Sequence, residues 1–398
     1  MTIRPLLILT AACVSTLQAA TFSLTETCRA KARIVTGAGA PETVRFAARE
    51  LQAYVRKMSG AELAIGEAPE AGTPSIRLGP AARAALPAEA LADIRRDGYR
   101  IAVHEGDLCV VGLDDAGPHT DIEALLEKKI THDVTAWTFH RGTLYGVYRL
   151  LEALGVRWFL PGAFGERVPA EPTLSFSGTI AENPAFVTRT VGYWSLGGTG
   201  NYGAHVKRIT ILPGEREALG FTPAENRMWE LRMRGESFRI PLNHNPVRTQ
   251  WFPRFGTNHP DYFALLPDGT RDLSAHGHLC YTHPGVLENN VADIRAFGAG
   301  RDAAERGIRT TYPFNKNWSY DIALDRYFSV LPNDGFRACT CPACRAKIPA
   351  DAPYANQKHT RLVWDFVARC AEAVPDMHVV CLAYGSYSIP YPGMPKLP

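Results

Sequence analysis

Two groups of residues in this chain have the types and spacing for chemistry, and they adjoin. The run Tyr327-Phe-Ser-Val-Leu-Pro-Asn-Asp-Gly335 reads as an apolar strand ending abruptly in polar, turn-forming residues, with Asp334 on its lip. Cys339-Thr-Cys341-Pro-Ala-Cys344 follows at once and crowds three thiols into one loop. A carboxyl group at the end of an apolar strand suits a general acid, because partial desolvation raises its pKa toward the working range. The competing reading of Asn333-Asp334-Gly335 is plain turn chemistry. The thiols suit either a tetrahedral metal site, with Cys280 as fourth ligand and His276, His278 or His283 as alternatives, or disulfides. A closed set of four thiolates leaves no open coordination position for substrate, so Cys280, Cys339, Cys341 and Cys344 are read as structural zinc or disulfides. No cofactor for catalysis is implied.

Other candidates cluster at the ends of further strand-like runs. Asn243-His244-Asn245 closes one of them, and with Asn333 offers amides and an imidazole suited to sugar hydroxyls. Trp194 and Tyr384 offer flat apolar faces of the kind that line a carbohydrate pocket. Arg189 could pair with an anionic sugar or make a structural ion pair. Glycoside hydrolysis needs a second carboxyl group. Asp261, Asp268 and Asp272 surround the turn Pro267-Asp-Gly269 and read as solvated turn residues, so the second carboxylate is expected beyond residue 398.

These residues need elements to position them. The segment from about 30 to 180 predicts a small, mainly antiparallel sheet with two helices on one face. Val44, Ala47, Ala48, Leu51, Val55 and Met58 recur at helical spacing before Gly60, and Leu144, Val147, Tyr148, Leu151 and Leu154 line a second helix. Tyr99–Val103 and Leu108–Gly112 flank Glu105-Gly-Asp107 as a hairpin. A polar insertion at about 114–136 carries its own short helix. Beyond Asn183-Pro184 the pattern becomes strand, long loop, helix, with candidate strands at 189–194, 238–244, 278–281, 327–331 and 379–384. That alternation predicts a (β/α) barrel of the TIM type. Only about five of its eight strands are present, which reads as a barrel truncated by the end of the sequence. The expected division is a signal peptide at 1–20, an α+β accessory domain at 21–182 and a partial barrel at 183–398, an α/β protein overall.

Composition narrows the function classes. The chain has 398 residues, 46% of them apolar, and a net charge of +3. No basic block or stripe points to nucleic acid. Met1-Thr-Ile-Arg4, an apolar core and the small-residue exit Gln18-Ala19-Ala20 read as a secretory signal, so the protein is expected to be periplasmic or extracellular. Cys13 after Thr10-Ala-Ala12 leaves a lipoprotein variant open. No later apolar run reaches the roughly 20 residues of a membrane span. Cys109, Cys370 and Cys381 sit in apolar patterns and are expected as core thiols. The sequence is silent on oligomeric state.

Two blocks, 44–60 and 142–162, resemble the N-terminal accessory domain of bacterial β-hexosaminidases and α-glucuronidases. The segments 259–271 and 279–284, together with Ser329-Val-Leu-Pro-Asn-Asp-Gly335 and its cysteine loop, resemble the bacterial domain of unknown function 4838 family. That family pairs such an accessory domain with a glycoside-hydrolase-like barrel. The insertion at 114–136 and the missing last strands depart from its pattern. The resemblance implies an exported carbohydrate-active protein, with glycoside hydrolysis as the leading activity and non-catalytic glycan binding as the alternative.

Overall fold

A computed structural model describes residues 20–129, 134–189, 222–312, 315–350, 352–391 and 393–394. The expected signal segment at 1–19, Trp194 and most of the first expected barrel strand lie outside them. The chain divides into two compact units: Met1–Thr131 with Phe139–Ser237, and His132–Thr138 with Phe238–Pro398. The first therefore runs to Ser237, past the 182/183 division expected from sequence.

The first unit is a mixed α/β layer structure. Its six-stranded sheet runs in the order Thr179–Glu182, Tyr99–His104, Asp107–Gly112, Ser75–Leu78, Arg33–Val35, Ile65–Gly66. The first two pairings are antiparallel, and the other three are parallel. This corrects the expectation of a mainly antiparallel sheet. The hairpin itself forms as expected. Glu105 and Gly106, with φ of 49° and 86°, make the two-residue turn that matches strand twist. A separate three-stranded sheet joins Leu174–Ser177, Thr21–Glu26 and Arg29–Ala30.

Helix Glu42–Ser59 buries Val44, Ala47, Ala48, Leu51, Val55 and Met58, and left-handed Gly60 ends it. Helix Gly142–Ala153 packs beside it and lies close on the strand Asp107–Gly112. A Cβ on Gly112 would come within 2.3 Å of the Gly142 backbone. The opposite parity of that strand, Cys109 and Val111, packs with Ala82 and Leu86 at the short helix Pro80–Ala85. Both faces of the strand are thus covered, which is why it reads Leu-Cys-Val-Val without alternation. Burial pushes the Cys109 thiol up to about 11, as expected of a core cysteine.

The second unit is built round Trp251, Phe263, Leu279, Trp318, Phe328 and Phe366. Helices Pro284–Gly298 and Thr360–Ala373 form where their apolar spacing predicts, the latter burying Leu362, Val363, Phe366, Val367 and Cys370. Strand Tyr327–Ser329 pairs in parallel with His378–Val380 and antiparallel with Ala323–Leu324. His244 adds a parallel bridge to Leu331. The described residues therefore give three parallel segments side by side, and they do not form a closed barrel. The expected strand at 238–244 makes only that bridge, and 278–281 bridges only at Leu279, antiparallel to Phe263.

One buried ion cluster holds helix Pro284–Gly298 in place. Asp293 accepts from both terminal nitrogens of Arg254, at 2.8 and 2.9 Å, and from Nε of Arg306 at 2.7 Å. Asp293→Ala would leave the buried Arg254 charge uncompensated, a loss of about 3–5 kcal/mol. Denaturant unfolding of this variant against wild type checks that figure.

Candidate functional site

The site is assembled where the parallel segments end. After Leu331 the chain leaves the sheet, and Asn333 anchors it. Asn333 is buried. Its Nδ2 donates to the Gly277 carbonyl at 2.9 Å, its Oδ1 accepts from the Val247 amide at 3.3 Å, and its own carbonyl meets His278 Nε2 at 3.3 Å. An amide so fully engaged has nothing left for a sugar. Asn333, expected to bind substrate, is a staple for the loops instead.

Asn245 is corrected in the same way. It is buried, its Nδ2 donates to the Ser329 carbonyl at 3.0 Å, and its backbone amide donates to Leu331. Asn243 is half-buried; its Oδ1 accepts from the His244 amide at 2.7 Å and its carbonyl from Ser329 Oγ. His244 stays nearer to the expectation. Its Nδ1 meets the Pro332 carbonyl at 2.6 Å, and since a carbonyl only accepts, Nδ1 carries the proton and Nε2 is left as the other working nitrogen.

Arg189 belongs to the first unit and serves it. Its guanidinium donates to buried Asp97 at 2.7 Å and to the Phe186 carbonyl, and its amide donates to Glu236. The structural ion pair is the reading that the geometry supports, not a sugar-binding arginine.

Asp334 projects into solvent from the turn that Gly335, at φ 65°, closes. Its Oδ1 accepts from the Tyr384 hydroxyl at 2.7 Å and from the Gly335 amide at 2.9 Å. The Tyr384 bond, then the Gly335 amide, hold the carboxyl below its usual value of 3.8, and His244 and His278 add smaller contributions of the same sign. This reverses the expectation of a desolvated acid with a raised pKa. Exposure leaves the carboxylate hydrated, and two donors favour its anion. Tyr384, expected as a stacking face, is half exposed, and the same bond pushes its own pKa up.

Asp272 escaped the sequence reading. Turn chemistry suggested a solvated residue, yet it is buried, and its Oδ2 lies 3.1 Å from His278 Nδ1 and accepts from the His278 amide. Asp268 is the turn residue expected, accepting from Thr270. Asp261 pairs with His283 at 2.9 Å.

The cysteine cluster gathers as the spacing allowed. The sulfurs of Cys280, Cys339, Cys341 and Cys344 all lie within 4.8 Å of one another. Cys280 Sγ stands 3.8 Å from both Cys341 and Cys344. A tetrahedron with metal–sulfur bonds of about 2.3 Å has sulfur edges of about 3.8 Å, whereas a disulfide needs about 2.05 Å. No disulfide occurs among the described residues, where all the cysteines are free. The Leu265 amide donates to Cys339 Sγ at 3.3 Å, and the Thr282 hydroxyl lies 3.1 Å from Cys344 Sγ. Bonds from the Cys280 and Cys344 thiols pull Cys339 below the ordinary thiol range, while sharing a proton with Cys339 pushes Cys280 up to about 11. Donor type, separation and burial all fit a metal ion. The alternative ligands are elsewhere: His276 is exposed, His278 faces Asp272 and Asn333, and His283 pairs with Asp261.

No family model and no curated protein sequence matches the chain. Among solved structures it is similar to the GH115 4-O-methyl-α-glucuronidase BtGH115A, described as specific for decorated arabinogalactans. The identity is 17% and the TM-score 0.35, over 54% of this chain and 25% of that one. It is also similar to the GH20 β-N-acetylhexosaminidase of Streptomyces coelicolor A3(2), at 14% identity and a TM-score of 0.36, over 92% of this chain and 64% of that one. The chain thus spans a quarter of the first and under two thirds of the second. Both similarities are distant, and the site chemistry stands apart from them. No helix among the described residues is long and apolar enough to cross a membrane.

The hydrogen bond between Tyr384 and Asp334 has a direct readout. In Tyr384→Phe, the Asp334 carboxyl should titrate closer to 3.8 than in the wild type, as followed by carboxyl-carbon NMR. Equal titration in both proteins would mean that the bond is not formed in solution.

Proposed function

We propose that the chain is an exported carbohydrate-active protein, a glycoside hydrolase by its leading activity, with its site at Asp334 and Tyr384. The observation that carries this reading is the ionised Asp334 carboxylate, held by the Tyr384 hydroxyl at the mouth of the parallel segments. Strand ends of parallel α/β structures are where such sites are placed. His244 stands beside the carboxylate, and aromatic rings lie behind it. The resemblance of segments 259–271, 279–284 and 329–335 to the domain of unknown function 4838 family supports the same class, and export rests on the signal-like residues 1–20. An ionised Asp334 serves as a base, a nucleophile or an acceptor for sugar hydroxyls, and its low pKa argues against the role of acid.

The same low pKa favours one alternative, a non-catalytic glycan-binding protein. The carboxylates near the turn at 267–269 are engaged with Thr270, His278 and His283, which leaves none of them as a ready partner for Asp334. Asp334→Asn separates the two readings. In a hydrolase, turnover of aryl glycosides should fall by about 100-fold or more while glycan affinity changes little. A wild type that turns over no glycoside in a broad screen, yet binds an array of glycans, would leave the binding protein standing.

The four cysteines are proposed to hold a structural zinc ion, which suits an all-sulfur tetrahedral set. When bound, it would tie the loop 339–344 to Cys280 and take no part in the reaction. The purified protein should contain about one zinc per chain, and Cys344→Ser should lose most of it, as measured by elemental analysis with free-thiol counting. Recovery of the four thiols as two disulfides would replace the metal with cross-links.

A further inference from the structure

Behind Asp334 and Tyr384 the second unit holds two tyrosine hydroxyls that no protein group satisfies. Tyr281 and Tyr387 are 3% and 1% exposed, and neither hydroxyl has a hydrogen-bond partner. Tyrosine is rarely chosen for a dry apolar position, because a buried hydroxyl without a partner forfeits the bonds it would make in water. Phenylalanine would fill the same space without that cost.

The surroundings of the two rings point to a ligand. Tyr384 meets Tyr387 edge-on at 6.2 Å, Tyr387 meets Phe336 at 5.4 Å, Phe336 lies 6.1 Å from Tyr281, and Tyr281 packs on Phe366 at 4.8 Å. The rings therefore run in series from the exposed Tyr384 inward. The charges agree with that order. Besides burial, Tyr387 feels Cys381, Tyr384 and Asp334, whereas Tyr281 feels Tyr387, Cys381 and Cys370. Cys370 is buried and Cys381 half-buried, and burial pushes both thiols up to about 12, so they stay neutral. His359, 5.4 Å from Phe336, has its pKa lowered by its burial and donates or accepts at Ser386 Oγ, 2.8 Å away. The lining is aromatic and uncharged, with hydroxyls as its inner polar groups.

We propose that Tyr281 and Tyr387 form the inner wall of a sugar subsite whose mouth is Asp334 and Tyr384, their hydroxyls bonding to the hydroxyl groups of a neutral pyranose ring. This extends the carbohydrate reading above and rests on it. A phenol both donates and accepts, as a sugar hydroxyl does, so each can serve as the other's partner. Aromatic faces with a few convergent polar groups are what a small-molecule site of this kind requires. An anionic ligand would find no cation among these inner residues.

The test uses the full chain and its Tyr281→Phe, Tyr387→Phe and double variants. Each is titrated with a panel of methyl glycosides of glucose, galactose, xylose, N-acetylglucosamine and glucuronic acid, by calorimetry or ligand-observed NMR, and each is also melted. The proposal expects a neutral glycoside to bind the wild type and to bind the double variant about 10-fold or more weakly. It expects the melting temperature to be unchanged or higher, since only unsatisfied hydroxyls are removed. A lower melting temperature in the variants would show that the hydroxyls have structural partners, and would overturn the proposal. Equal affinity in wild type and double variant would overturn it too, while leaving the carbohydrate reading intact. A wild type that binds no glycoside of the panel defeats both.

Discussion

Asn333 is the constraint on which the site depends. A carboxamide has two donors and two acceptor positions, and here it spends them on the main chain of segments more than 50 residues away. Its Nδ2 holds Gly277, its Oδ1 holds Val247, and its carbonyl faces His278. Being buried, these bonds cannot be exchanged for water without leaving polar groups stranded. The next residue is Asp334. Its position in space follows from a neighbour that is fixed in three directions.

The other end of the same loop is fixed by sulfur. Thr340 bonds to the Leu265 carbonyl through both its amide and its hydroxyl, and the Leu265 amide bonds to Cys339. Cys280 then meets Cys341 and Cys344. The loop from 333 to 344 is therefore fastened to the hairpin segment 261–283 near both of its ends, with Asp334, Gly335, Phe336 and Arg337 between the fastenings. A short exposed stretch between two anchors can present a side chain in a constant direction without being buried itself. This explains how Asp334 can be solvated and yet well placed.

How much of this was legible in the sequence depends on the range of the forces involved. Helices 42–59, 284–298 and 360–373 announce themselves through apolar spacing, because their pattern is local. The cysteine cluster was legible too: three of its sulfurs are confined by six residues of chain, and the fourth, Cys280, lay in a strand-like run close to the family-like block. Strand direction was not legible. The run Leu108-Cys-Val-Val looks the same whether its neighbour Ser75–Leu78 is parallel or antiparallel. The amides misled for a related reason. Asn245 and Asn333 stand in polar company in the sequence, but the carbonyls they serve come from remote segments. Asp272 was hidden by its turn-like neighbours, since nothing nearby in sequence marks His278 as its partner. The barrel rhythm was read from runs that prove to be extended chain with single bridges, where apolar content reflects packing on a core more than membership of a sheet.

The bond between Tyr384 and Asp334 also sets the sign of what may approach. Oδ1 is already shared by two donors, so a visitor meets chiefly Oδ2, an oxygen that can only accept. It must therefore arrive with a hydrogen to give. A ligand bearing its own carboxylate meets like charge there, and Arg189, the cation that might have offset it, is bound to Asp97 in the other unit. The depressed pKa keeps that barrier in force through the whole neutral and mildly acidic range, so the pair acts as a charge filter at the entrance, open to neutral polyols and closed to acids.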